Sequence, residues 1–130
     1  MIQAKAVNKQ FLTELSNGRQ VIQSDVTVDV GGGDGGFGPH ELLEAALASC
    51  IQITLKMGAM KYGFDLGHTS CQVSLDRSVP ERTVFVYQLN LDPGLTEEQQ
   101  AHVRRFASRC PVRKTLSAEI GFLEKSSRTS

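Results

Sequence analysis

Between the run GGGDGGFG at 31–38 and Gly63, residues 39–62 read PHELLEAALASCIQITLKMGAMKY, and this stretch constrains the fold more than any other. Pro39 suits the first turn of a helix, where its missing N–H is not needed. Leu43, Ala46, Leu47, Cys50, Ile53, Thr54 and Met57 then fall on one stripe at helical spacing. The opposite side carries Leu42, Ala45, Ala48 and Ile51, so little of the helix is polar. A helix that is apolar nearly all round is buried nearly all round. The expectation is a central helix with Gly63 as its C-cap, packed inside the domain or at a subunit interface.

The flanking segments read as strands and shorter helices. Residues 2–15 are loosely strand-like, and Asn17-Gly18 is a strong hairpin signal. Residues 20–30 alternate, with Val21, Val26, Val28 and Val30 against polar neighbours, which predicts one strand. Residues 68–78 and 82–92 read as a second hairpin around VPE. Thr96 opens a capping box with Gln99, followed by a helix to about Ser108. Pro111 restarts a short helix, and AEIGFLEK closes as a last strand. The order β β α β β α α β predicts an α+β domain over residues 1–130 with a largely antiparallel sheet.

A chain of 130 residues is long enough to bury a core without staples. Its 14 basic and 14 acidic residues cancel, which argues against nucleic acid or an anionic membrane as the main partner. No stretch approaches the roughly 18 apolar residues of a membrane span, and the N-terminus lacks the apolar centre of a signal peptide. A cytoplasmic location follows as an expectation, where three cysteines read better as thiols or redox groups than as a disulfide framework.

Several constellations invite a chemical reading. GGGDGG at 31–36 formally satisfies G-x-G-x-x-G, but Pro39 follows at once and no parallel strand with an acidic residue comes after, so a flexible connector is the better reading. His40, His68 and His102 are scattered and the cysteines show no C-x-x-C, so neither a metal nor a cofactor is expected. Cys71 sits mid-strand and reads as inert. Cys50, on its helix stripe, is either an apolar filler or a nucleophile. Cys110 precedes Pro111 and so takes the N-cap of the short helix, where a thiolate gains from unpaired N–H groups. Arg109, Arg113 and Lys114 add positive charge. Should Cys50 and Cys110 meet, a peroxidatic and resolving pair is the natural chemistry.

GPHELLEAALASC, followed about sixty residues later by CPVRKTL, resembles the OsmC/Ohr family of osmotically induced and organic hydroperoxide resistance proteins. The resemblance implies an intertwined homodimer of two-layer α+β subunits, a largely antiparallel sheet on a central buried helix, with sites at the dimer interface. It implies thiol peroxidase activity toward organic hydroperoxides, with a dithiol reductant as second partner. Cys50 matches the reactive cysteine and Cys110 the resolving one, and apolar neighbours such as Phe37 or Phe106 would favour alkyl substrates. Arg19 is the candidate for the family's N-terminal arginine. The family carries Glu directly after the proline. Here that position is His40, and Glu41 follows. On an ideal helix Glu41 faces away from Cys50, whereas His40 lies about 80° off its face. The departure leaves a second reading, a thiol-bearing binding or sensing module without efficient turnover.

Overall fold

A computed structural model of the chain describes residues 1–126. The elements run β1 (Gln3–Ala6), β2 (Thr13–Ser16), β3 (Val21–Ser24), α1 (Pro39–Tyr62), β4 (Ser70–Val79), β5 (Arg82–Asn90), α2 (Glu97–Ser108) and α3 (Pro111–Ser117). The class is α+β with antiparallel sheets, as expected. The chain divides into two compact units: Met1–Ala48 with Gln72–Gln88, and Ser49–Cys71 with the segment from Leu89 onward.

The first unit holds a three-stranded antiparallel meander in which Gln3 pairs with Ser16 and Ser16 with Val21. The segment read as one strand over 2–15 is therefore two strands, reversed through a turn where Gln10 has a φ of 36°. At the Asn17-Gly18 turn, the Asn17 Oδ1 accepts from the N–H groups of Arg19 and Gln20, and Gly18 takes a φ of 91° that suits glycine.

The strand expected over 20–30 stops at Ser24, because Asp25 redirects the backbone. Its Oδ1 accepts from Val26 N–H and its Oδ2 from Gly33 and Gly35 N–H, so the glycine run folds back over it. Val28–Val30 form one 3-10 turn instead of a strand, and both valines are exposed. The run is thus packed and does not act as a flexible connector. A Cβ on Gly32 would lie 2.2 Å from Val26 O, and one on Gly36 would lie 2.1 Å from Gln23 O. Only glycine permits so close a backbone approach.

Helix α1 begins with half a capping box. The Glu41 Oε1 accepts from Gly38 N–H at 2.8 Å, satisfying a donor that the helix leaves open. At the other end Gly63, with a φ of 77°, donates to Met60 O while Phe64 N–H donates to Ala59 O, a Schellman closure that matches the expected C-cap.

The buried line of α1 is Leu47, Ile51, Leu55 and Ala59. This corrects the sequence reading. Of the stripe assigned to the core, Leu43, Ile53 and Met57 are exposed, as is Met60. Within the chain, α1 is buried along one line of i, i+4 positions and not all round. One window of α1 also reaches a mean hydropathy of 1.3 over 18 residues, so by length and composition a membrane-span candidate does exist, contrary to expectation. Its buried line belongs to the protein core.

The β4–β5 pair is a hairpin whose two-residue link, Pro80-Glu81, requires antiparallel strands. Cys71, Val73 and Leu75 are the half-buried positions of β4. In the second unit, Ile51, Leu55, Ala59, Leu66, Leu95, Val103, Ala107 and Cys110 form the core. Gly58 lets α2 approach: a Cβ there would sit 2.6 Å from the Phe106 ring. The capping box of α2 is as read, with Gln99 N–H donating to the Thr96 Oγ1 and Thr96 N–H to the Gln99 Oε1. The closing strand expected over AEIGFLEK does not form. Residues 118–125 follow α3 without regular structure, and Phe122 and Leu123 are exposed.

Candidate functional site

The two motif cysteines, sixty residues apart, both lie in the second unit, and the structure brings them together. Cys50 sits on α1, half-buried, and Cys110 is the N-cap of α3 with 0% of its surface exposed. Their side chains are hydrogen-bond neighbours. Pro111 at the first helical position supplies no N–H, so the first amides available after Cys110 are those of Val112 and Arg113. Val112 N–H donates to the Cys50 Sγ at 3.4 Å. Arg113 N–H donates to the Cys110 Sγ at 3.4 Å. The Cys-Pro sequence therefore turns one short helix start into a donor for each sulfur.

The N-cap position of Cys110 is as expected, but its acidity is not. Burial pushes the Cys110 thiol up from its ordinary value; the Arg113 amide opposes this, and the adjoining Cys50 raises it further. Burial thus favours the neutral Cys110 thiol. The helix start is local in sequence, whereas the complete burial of Cys110 depends on the packed chain. Burial also raises Cys71, on β4.

The other residues expected at the site belong to the first unit. Arg19 is exposed in the β2–β3 turn, and its backbone N–H is tied to Asn17. His40 and Glu41 are exposed in the first turn of α1, and the Glu41 carboxylate is engaged by Gly38. His40, Glu41 and Arg77 line a cavity of about 360 Å³ together with Asp25 and Asp34. A second cavity in that unit, about 510 Å³, is lined by Val21, Ile22, Gln23, Gly35, Gly36, Phe37 and Leu42. Phe106, weighed as a substrate contact, is occupied in packing: its ring lies edge-on to Tyr62 at 5.3 Å and parallel to His102 at 6.0 Å. Arg105 Nη2 is bonded to the His102 Nδ1 in the same cluster. Among the described residues no three His, Cys, Asp or Glu side chains converge as a metal set.

The chemistry this arrangement allows is that of an adjoining thiol pair, one sulfur half-buried and the other enclosed, each accepting a backbone amide. The OsmC-like protein family matches residues 31–123, a span that includes both cysteines and the glycine run, and the chain belongs to that family. Among solved structures, a provisionally named osmotic-stress-induced and detoxification-response protein from Psychrobacter arcticus shares 23% identity at a TM-score of 0.72, covering 88% of this chain and 85% of that one. An organic hydroperoxide resistance protein OsmC from Legionella pneumophila shares 21% at 0.61, covering 90% and 89%. The organic hydroperoxide resistance protein OhrB of Bacillus subtilis shares 19% at 0.60, covering 90% and 89%. These likenesses establish the fold. No curated protein sequence matches this chain.

Proposed function

We propose that this chain is a thiol peroxidase that reduces organic hydroperoxides, and hydrogen peroxide as a smaller substrate. Cys50 attacks the O–O bond and becomes a sulfenic acid, and Cys110 condenses with it to a disulfide that a dithiol reductant reopens. The observation that carries this reading is the Cys50–Cys110 contact, with a backbone amide on each sulfur. Relatives in fold named for organic hydroperoxide resistance support it. Arg19 and His40 enter the reading through the family resemblance alone, and a cytoplasmic location suits three free thiols.

We also assign a homodimer. Leu43, Ile53, Met57 and Met60 are exposed along α1, the last three at spacings of four and three that suit a facing helix, with Cys50 three residues before Ile53. The experiment for the activity is consumption of cumene hydroperoxide coupled to a dithiol. Cys50→Ser is expected to abolish turnover, because the attacking thiolate is gone; unchanged turnover would remove the assignment.

A second reading is favoured by one observation. His40 stands directly after Pro39, where the family carries Glu, and the neighbouring Glu41 carboxylate accepts from Gly38 N–H. A family member without a carboxylate directly after that proline would bind or sense through its thiols without fast turnover. Negligible peroxide consumption by well-folded protein is the outcome that selects it.

A further inference from the structure

The reduced thiol pair is asymmetric. Cys110 is completely enclosed, whereas Cys50 is half-buried. Burial favours the neutral form of a thiol, and of this adjoining pair it is Cys110 that is enclosed. Cys50 as a thiolate then has two donors within reach, the Val112 amide at 3.4 Å and the S–H of Cys110. The sulfur of Cys110 faces a donor of its own, Arg113 N–H. A resolving thiol serving only the second half of a cycle need not touch the attacking sulfur beforehand; here it does.

Resting on the peroxidase reading above, we propose that Cys110 acts in both halves of the cycle: before oxidation it donates its S–H to the Cys50 Sγ and holds that sulfur as the attacking thiolate, and only afterwards does it resolve. In the first half, the Cys50 thiolate bonds to the terminal oxygen of ROOH. The O–O bond breaks, the sulfur is oxidised by two electrons to the sulfenic acid, and RO⁻ leaves and takes a proton from water. In the second half, Cys110 S–H no longer faces a thiolate. Its sulfur bonds to the Cys50 sulfur, the S–OH bond breaks, and the departing hydroxide takes the Cys110 proton as water. The sum is two thiols and ROOH giving a disulfide, ROH and H₂O. The contact with Cys50 thus times the resolving thiol: it is a donor while its neighbour is charged and a nucleophile once that charge has gone into an S–O bond.

The test separates donation from resolution, because serine can donate but cannot resolve. The first step is followed in a single turnover at neutral pH as loss of cumene hydroperoxide, its product read by mass as the Cys50 sulfenic acid in the variants and as the disulfide in the unaltered protein. Cys110→Ala is expected to slow this first step about tenfold, and Cys110→Ser to restore it to within about threefold of the unaltered protein, as befits loss and recovery of one hydrogen bond to a charged group. Thermal melts of both variants confirm that they are folded. Equal rates in all three proteins, or equal slowing in Ala and Ser variants that melt normally, would overturn this inference and leave the peroxidase reading standing. No oxidation of Cys50 in the unaltered protein would overturn both.

Discussion

At the scale of single residues, two side chains organise more structure than their type suggests. Cys110 caps a helix, fills a core position and touches a second sulfur. Asp25 ends a strand and gathers three amides, and those hydrogen bonds, that of Gly35 first, hold its carboxyl below the usual carboxylate range. The His68 and Gly94 amides act the same way on Asp92, and on Asp76 the Ser78 hydroxyl does so first and the Ser78 amide second. A carboxylate whose folded pKa is depressed stabilises the protein above its unfolded value of about 3.9. That stability is lost as pH falls through the folded value. Acid titration followed by circular dichroism should therefore show a cooperative loss below about pH 4. Asp25→Asn should be less stable at neutral pH and should lose part of that acid dependence. Cys110 works in the opposite direction: its raised value favours the folded state below the unfolded thiol range of about 8.5, and the benefit fades as pH rises through the folded value.

At the scale of elements, the legible parts were those with local chemistry. The capping box at Thr96, the Schellman glycine at 63, the Asn-Gly turn and the Pro-started helix after Cys110 were all readable, because each is decided within four or five residues. What failed depended on distant partners. The Val26, Val28 and Val30 alternation lost to a carboxylate that collects amides eight and ten residues away. AEIGFLEK has strand composition, yet residues 118–125 follow α3 without regular structure. On α1, a helix apolar on two sides, periodicity could not tell which line was buried. Gly58 shows the same limit, since a mid-helix glycine reads as a defect until the Phe106 ring is seen against it. Gly58→Ala should gain helix propensity yet lose packing, for a net destabilisation of about 1–2 kcal/mol in urea unfolding.

At the scale of the whole molecule, family and architecture were readable from two motifs and their separation, and the pairing of Cys50 with Cys110 could be anticipated only as a condition. Its asymmetry could not, because burial is a property of the packed chain. Assembly is the prediction that belongs here. If the exposed line on α1 receives a second copy, Ile53→Glu should weaken self-association at least about tenfold, measured by sedimentation. An unchanged sedimentation profile would place any interface elsewhere.

The glycine run has one more consequence. By composition it looks like a spacer, the kind of segment that accepts inserted residues without complaint. Yet Gly33 and Gly35 must reach a single carboxylate, and Gly32 and Gly36 must each lie flat against a carbonyl of the same neighbouring segment. Its length is therefore fixed to the residue: one added or deleted position would pull every amide after it out of step with Asp25.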